Sequence, residues 1–287
     1  TISLKGVKQG DPAMIIGYPG RTNRFMTSSE VKETSDITNA IVIYVRGIRQ
    51  EVLMADMEAD PKIRLQYSSK YAGSSNYWKK AIGMNETFKK LKVQERRADE
   101  EVKFQEWVNA NPARKAKYGT ALEEIKGAVS NRAEALYLSA YLREALGSIE
   151  MLSVAASFTD YAENLAKGNT EEAGKALEFG KRRLSAFYKD YSAPTDRKVA
   201  KALIKVFRDK IKGEERPAFY NVIDEKFGGN IDAFVDNLYD NSVFPCEEKF
   251  KKALETPEVI ANDPAIAIVK TIAPVQMKAM QILSKEN

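Results

Sequence analysis

The residue types that are missing limit the chemistry of this chain more than those that are present. None of its 287 residues is histidine. No Ser–His–Asp or Cys–His nucleophile, histidine-ligated zinc or histidine acid–base pair can therefore be assembled from it. Its one cysteine, Cys246, excludes an internal disulfide and a thiolate cage around a metal. Hydrolysis by a histidine-activated nucleophile would need catalytic groups from outside the sequence.

Three carboxylates close together, Asp56, Glu58 and Asp60, are the best candidates for a cation site. Their spacing is not that of a calcium-binding loop, so we interpret them as the acidic end of a helix. We therefore predict neither a metal nor a cofactor. Cys246 follows Phe244 and an adjacent proline, and we interpret it as a packed thiol rather than a reactive one.

Basic and acidic residues are mixed along the whole chain, 45 against 40, for a net charge of +5. The densest basic runs, at 89–97 and 181–183, have acids within or beside them, which is typical of solvated helix faces. A phosphate-binding surface needs clustered basic charge. Eighteen uninterrupted apolar residues occur nowhere in the sequence. We therefore predict no nucleic-acid partner and no membrane span.

From about Thr27 the apolar residues recur with the 3.6-residue period of a helix. Thr27 is an N-cap candidate with Glu30 three residues later, and prolines at 61 and 112 begin new helices. This pattern predicts a mainly α fold, an elongated bundle of antiparallel helices. Met277 and Met280 are expected on the buried stripe of the last helix. The predicted helices cover about 27–60, 61–90, 92–109, 112–128, 130–166, 170–191, 195–212, 214–226, 230–239, 246–255 and 264–284.

The opening segment follows a different pattern. A turn signal at 10–12, a short apolar run and a second turn at 17–20 predict a strand within 6–24. One strand is not stable alone, so we expect it to belong to a sheet formed elsewhere. The sequence also begins at a threonine. We interpret it as an internal fragment in which residues 1–26 end another domain and residues 27–287 form a helical domain.

Two motifs resemble those of a known family. GDPAMIIGYPGRTNRFMTS at 10–28 resembles the last part of the first barrel of trypsin-like bacterial proteases. Its second half is closely similar to the bacterial family of dipeptidyl peptidases 7 and 11. QYSSKYAGSSNYWK at 66–79 resembles the helical domain of the same family. Weaker similarity continues at 195–198, at 241–244 and at 248–250.

This resemblance implies a chymotrypsin-like double β-barrel with a helical domain inserted between the barrels. The family's catalytic His and Asp precede the segment seen here and its Ser follows, which agrees with the absence of histidine. The implied parent is a serine exopeptidase that releases dipeptides from the free N-terminus of oligopeptides. Its implied location is the periplasm or cell surface of a Gram-negative bacterium, or outside the cell as a secreted enzyme, and a homodimer is a compatible assembly. The partners of this chain would be the oligopeptide and the rest of the peptidase domain, and the chain alone is expected to be inactive.

One site residue follows from the resemblance. The family binds the substrate's free N-terminus with an asparagine of the helical domain, and Asn76 in the Ser-Ser-Asn-Tyr-Trp motif matches it. An amide can accept from an ammonium group and donate to a carbonyl. The alternative is that Asn76 only caps or breaks a helix at 73–76. Tyr77 and Trp78 are interpreted as core or cleft-wall residues.

A second hypothesis is a free-standing helical interaction protein with no enzymatic activity. Long helices of mixed charge suit that role equally well. The strand predicted within 6–24 discriminates between the two hypotheses, because an autonomous helical bundle has no use for it.

Overall fold

The computed structural model describes residues 4–12, 14 and 23–286, and all regular structure within these ranges is helical. The prediction of a mainly α fold is confirmed. A π-helical segment, Thr34–Asn39, joins the first two α-helices. The α-helices are α1 (Ser28–Glu33), α2 (Ala40–Ala59), α3 (Pro61–Lys90), α4 (Val93–Asn109), α5 (Pro112–Tyr118), α6 (Ala121–Glu144), α7 (Glu150–Ala155), α8 (Thr159–Ala166), α9 (Thr170–Lys189), α10 (Ala193–Lys210), α11 (Phe219–Phe227), α12 (Ile231–Asn241), α13 (Glu247–Ala253), α14 (Pro257–Ala261) and α15 (Pro264–Lys285).

Helix α1 begins where the sequence predicts. Thr27 and Glu30 form a reciprocal capping box, in which the Glu30 N–H donates to Thr27 Oγ1 and the Thr27 N–H donates to the Glu30 carboxylate. The described residues before Thr27 form no strand. The centre of the predicted strand, at 13 and 15–22, lies outside the described residues, so the proposed division at residue 26 stays a prediction.

Helices α2 and α3 form an antiparallel pair joined through Asp60. This residue ends α2 and caps α3 by accepting from the Lys62 N–H at 2.7 Å, and Pro61 occupies the first helical position. Helix α3 then runs without interruption to Lys90. Helix α2 also packs against α6 and α10, so it connects α3 to the rest of the bundle.

The continuous hydrophobic core is built mainly by α6 to α15. Phe158 packs against Phe244 and Phe250 with ring centroids 5.3 Å away in each case. Gly180 of α9 lies directly on the Phe158 ring, where an added Cβ would come within 2.6 Å of a ring carbon. Glycine is therefore required at this position for α9 to approach the core so closely.

The middle of the chain differs from the prediction. The segment predicted as two helices, 112–128 and 130–166, contains α5, α6, α7 and α8 instead. The start of α7 depends on a residue far away in sequence: the Asp196 carboxylate on α10 accepts from the backbone N–H groups of Glu150 and Met151, both at 2.9 Å. These bonds satisfy donors of a new helix start, just after the chain leaves the helical conformation at Gly147 and Ser148.

Helix α15 exposes more of its apolar surface than predicted. Met277 and Met280 are 58% and 56% exposed, so the prediction that they are buried is wrong. The buried residues of α15 include Ile266 and Ile268, and the helix packs against α6 and α7. By length and composition alone α15 is apolar enough to cross a membrane, a criterion that core helices of water-soluble proteins also meet.

Candidate functional site

Asn76 lies in the middle of α3, on an open face of the helix. Its side chain is exposed, and within the part of the chain that the structure describes it has no hydrogen-bond partner. Positions three and four residues away share this face, and they are also exposed. They comprise Ala72, Gly73, Lys79 and Lys80. The two residues of the preceding turn are small, so a ligand can approach the Asn76 amide from that side without meeting a large side chain.

The alternative role for Asn76, as a cap or a helix breaker, is wrong. Helix α3 is continuous from Pro61 to Lys90, and its N-cap is Asp60. Asparagine in the interior of an exposed helix costs up to about 0.7 kcal/mol relative to alanine. This residue is thus paired with nothing described in the chain and is unfavourable for the helix that carries it.

The aromatic residues beside Asn76 connect α3 to α2. The Trp78 indole N–H donates to the Ile43 carbonyl of α2 at 2.9 Å, and its ring is half-buried. Tyr77 is 59% exposed, and the Arg46 guanidinium lies 5.2 Å from its ring centroid. Trp78 therefore positions α3, and Tyr77 contributes an exposed aromatic surface next to Asn76. Their interpretation as core or cleft-wall residues stays a prediction.

Arg46 is held in this position by a buried carboxylate. Its Nε lies 2.7 Å from an oxygen of Glu144, whose side chain is 4% exposed, and its Nη1 donates to the Ser74 carbonyl at 3.3 Å. The ion pair connects α2 to α6, and the bond to Ser74 reaches the turn of α3 that precedes Asn76. A charge-assisted contact of this kind is stronger than a neutral hydrogen bond, so it keeps the turn rigid.

A second asparagine of α3 has the opposite environment. Asn85 donates to the Ser35 carbonyl in the π-helical segment at 3.1 Å and accepts from the Asn39 side chain at 2.8 Å. Together with the bond from Trp78, these contacts fix the register of α3 against the preceding helices. They were not predicted, because no local pattern marks which carbonyl a distant amide will reach.

Asp196 is a buried carboxylate that sequence reasoning missed as a structural centre. Its carboxylate accepts from the hydroxyls of Tyr191 and Tyr239, at 3.2 and 2.7 Å, in addition to the two N–H groups of α7. Burial, with the charge of Glu150 nearby, raises the pKa of Asp196 to about 6 although its hydrogen bonds act in the opposite direction. This cluster joins α7, α10 and α12. The hydrogen-bond acceptor positions of the Asp196 carboxylate are occupied by donors of the chain itself.

The other candidate residues from the sequence take part in contacts within the chain. Asp60 is the cap of α3, and Asp56 lies 2.6 Å from the ammonium group of Lys198. No group of three metal-ligating side chains is found within the described ranges. Cys246 is half-buried at the start of α13, where its thiol is bonded to the Glu248 carboxylate at 3.1 Å.

Within its described residues the chain is thus a helical bundle in which α3 exposes one face around Asn76. The family model of peptidase S46 matches residues 1–286, and the chain belongs to this family. The resemblance seen in the two sequence motifs is confirmed.

Several relatives match almost the whole chain. It is 41% identical over 273 residues to dipeptidyl-peptidase 7 of Phocaeicola vulgatus, covering 94% of this chain and 38% of that protein. It is 35% identical over 277 residues to the Asp/Glu-specific dipeptidyl-peptidase of Porphyromonas gingivalis, with the same coverage. The chain thus spans less than half the length of these relatives.

Solved structures show the same arrangement of helices. The crystal structure of Porphyromonas endodontalis DPP11 superposes with a TM-score of 0.79 at 28% identity over 94% of this chain and 39% of that chain. The complex of that protein with the dipeptide Arg-Glu gives a TM-score of 0.78 at 29% identity, with the same coverage.

Proposed function

We propose that this chain is the helical, substrate-capping part of a serine dipeptidyl peptidase that removes dipeptides from the free N-terminus of oligopeptides. Membership of the peptidase S46 family and the names of the relatives support dipeptide release. A chain of 287 residues without histidine supports a catalytic triad located outside it. On this proposal the chain alone has no histidine to activate a serine and hydrolyses nothing.

The observation that carries the proposal is the environment of Asn76. An exposed amide that is unpaired within the described residues, on a helix fixed by Trp78 and Asn85, is available to a ligand without any rearrangement. Its oxygen would accept from the substrate ammonium and its NH₂ would donate to the first peptide carbonyl. Fixing the N-terminus at a constant distance from the scissile bond would allow two residues to lie between them.

Asn76 does not provide a counter-charge for the ammonium group. The residues one turn away that carry charge, Lys79 and Lys80, are both cationic. A carboxylate that neutralises the bound N-terminus would therefore come from the remainder of the peptidase domain. This is the reason for proposing that the chain closes over a cleft rather than acting alone.

The wider setting is part of the same proposal. The partners are the oligopeptide and the remainder of the peptidase domain, in a periplasmic or cell-surface enzyme that assembles as a homodimer. The ion pairs distributed over α9, α10 and α12 support a solvated surface without a nucleic-acid partner.

The test is the Asn76→Ala variant of the peptidase that contains this chain. A hydrogen bond to a charged group is worth about 1.5–3 kcal/mol, so kcat/KM on peptides with a free N-terminus should fall about ten- to a hundredfold. The matched control is Asn221→Ala, which removes an exposed amide from α11 and should leave kcat/KM per folded molecule unchanged. Equal kinetics for the wild type and Asn76→Ala would contradict the assignment of Asn76.

The capping role has its own test. The 287-residue chain alone should release no dipeptide from chromogenic substrates, while the full peptidase does. Hydrolysis that survives repurification of the chain would show that the catalytic groups are not outside it.

A further inference from the structure

The helix that carries Asn76 has a charge balance unlike that of the rest of the chain. Helix α3 contains seven basic residues and one acid, Glu86. The basic residues are Lys62, Arg64, Lys70, Lys79, Lys80, Lys89 and Lys90. The net charge of α3, +6, exceeds the +5 of the whole chain, so the remaining residues are close to neutral together. The excess positive charge of this protein is therefore concentrated on α3.

Two of these lysines, Lys79 and Lys80, lie one turn after Asn76 and share its exposed face. Within the part of the chain that the structure describes, neither ammonium group forms an ion pair or a hydrogen bond. The third cation near Asn76 differs, because the Arg46 guanidinium is paired with the buried Glu144 carboxylate. The charge of the two lysines is thus left without a counter-charge beside Asn76.

The one acid of α3 does not supply that counter-charge. Residues three and four positions apart are neighbours on a helix surface, and at that spacing Glu86 is the neighbour of Lys89 and Lys90. The corresponding neighbours of Lys79 and Lys80 are not acidic. They comprise Ser75, Asn76, Tyr77, Ile82, Gly83 and Met84. A carboxylate that pairs with the two lysines therefore has to come from outside the described chain.

The first residue of a bound peptide can provide such a carboxylate. Its Cα is bonded to the nitrogen that Asn76 is proposed to bind, so its side chain lies close to Asn76. Neighbouring Cβ atoms one helical turn apart are about 5–6 Å from each other, and the flexible stem of a lysine lets its ammonium group move toward a ligand. An acidic side chain at this position is attracted to Lys79 and Lys80, and a basic one is repelled.

We propose that Lys79 and Lys80 make the peptidase prefer an acidic side chain on the first residue of its substrate. The preference depends on the proposed function, since it requires Asn76 to bind the substrate's N-terminus. It is separate from any selectivity for the second residue, which precedes the scissile bond. The two lysines determine specificity and take no part in breaking the peptide bond.

The experiment measures kcat/KM of the full peptidase on fluorogenic dipeptidyl substrates that begin with Glu, Gln or Lys. The second residue is held constant, as leucine in one series and aspartate in another. Glutamate and glutamine have nearly the same shape and both carry the N-terminal ammonium, so their ratio isolates the side-chain charge. We expect a Glu-to-Gln ratio of about three to ten, and a lower kcat/KM for the Lys substrate than for the Gln substrate. A Glu-to-Gln ratio of one or less would overturn the proposal.

Salt provides a second measurement on the same substrates. Exposed charges are screened, with a Debye length of about 10 Å at 0.1 M and 3 Å at 1 M ionic strength. The Glu-to-Gln ratio should therefore fall toward one between these two concentrations. A ratio that does not change with salt would show that the shape of the subsite, and not the charge of the lysines, selects the first residue.

Variants test the two lysines. Lys79→Gln and Lys80→Gln should each lower the Glu-to-Gln ratio, and the double variant should bring it close to one. Lys90→Gln is the matched control, because Lys90 is an exposed lysine of the same helix, 14 residues and thus about 21 Å from Asn76. Its ratio should equal that of the wild type. An equal decrease in Lys90→Gln would mean that only the net charge of α3 matters, and it would refute the assignment of the two lysines.

The variant Asn76→Ala separates this specificity from the proposed function. It should lower kcat/KM on the Glu and Gln substrates alike, because both carry the ammonium group. A loss in Asn76→Ala together with a wild-type Glu-to-Gln ratio of one would refute the role of the lysines and leave the role of Asn76 standing. Unchanged kcat/KM in Asn76→Ala on both substrates would contradict the binding of the N-terminus by Asn76, and with it the specificity that depends on this binding.

Discussion

Helix α3 exposes the amide of Asn76 to solvent, whereas the interior encloses the carboxylate of Asp196 among four donors. Both are polar residues on helices, but the chain satisfies one completely and leaves the other unpaired within its described part. A buried polar group must be satisfied internally to be tolerated, so Asp196 is explained by folding alone. Asn76 gains nothing from the fold that carries it, which makes it available for binding.

The difference also appears within α3. Asn85 binds two groups of the preceding segment, the Ser35 carbonyl and the Asn39 side chain. Asn76, on the same helix, binds none that the structure describes. Residue type and helix position therefore do not distinguish a structural asparagine from a candidate ligand-binding one. The surroundings in the folded chain make that distinction.

The largest effect on stability is expected for Asp196→Ala. This change leaves two backbone N–H groups and two tyrosine hydroxyls without an acceptor in the interior, which should lower the free energy of unfolding by about 3 kcal/mol or more. Urea denaturation measures it. Asp236→Ala is the control, because that exposed carboxylate pairs with Lys201 at the surface and should cost about 1 kcal/mol or less. Similar losses in both variants would remove the contrast between a saturated interior and a solvated surface.

The pH dependence of stability tests the effect of burial on Asp196. The pKa of Asp196 is raised to about 6 in the folded chain, above its value in the unfolded chain. The folded state therefore holds more protons between about pH 4 and pH 6, and this group's contribution to stability is lost as the pH rises through that window. The unfolding free energy of the wild type minus that of Asp196→Asn should decrease from about pH 4 to about pH 7, because asparagine does not titrate. A difference that grows with pH would contradict the raised pKa.

A smaller loss of stability than for Asp196→Ala is expected for Asn85→Ala. It removes the partner of the Asn39 amide, which is 7% exposed, and one donor to the Ser35 carbonyl. We expect a decrease of about 1–2 kcal/mol in the free energy of unfolding, measured by the same denaturation. A change below about 0.5 kcal/mol would show that these bonds do not fix the register of α3.

The smallest effect on stability is expected for Asn76→Ala. Alanine is the better helix former and no described contact is lost, so stability should rise by up to about 0.7 kcal/mol or stay unchanged. Differential scanning calorimetry of Asn76→Ala beside Asn85→Ala makes the comparison direct. A loss of more than about 1 kcal/mol at Asn76 would place the two asparagines in the same structural class.

Much of the helical pattern was predictable from local chemistry. The predicted helix 61–90 coincides with α3, and 264–284 ends one residue before α15 does, because proline at the first helical position and an aspartate N-cap mark both starts. The capping box at Thr27 was also predicted correctly. These signals act within one turn of the chain, so they can be recognised without knowledge of the fold.

The breaks that depend on distant residues were missed. The predicted helix 130–166 is interrupted at Gly147 and Ser148, and α7 then starts where Asp196 caps it from another helix. The Gly-Ser pair is a local turn signal, but the cap comes from a residue far away in sequence. Met277 and Met280 match a buried helical stripe but lie on the exposed side of α15. Which apolar side of a helix becomes buried depends on the helices that pack against it.

The sequence alone determined that this chain is mainly helical, that no histidine-based nucleophile can form within it, and that Asn76 lies in a motif similar to a peptidase family. Local periodicity carries the first of these, composition the second, and the resemblance of the motif at 66–79 to the family the third. Only the tertiary structure decided that Asn76 is exposed on an unbroken helix, that Asp196 is saturated, and that Lys79 and Lys80 pair with no carboxylate of the described chain. Each of these depends on contacts between residues far apart in sequence, which the packing of the helices creates.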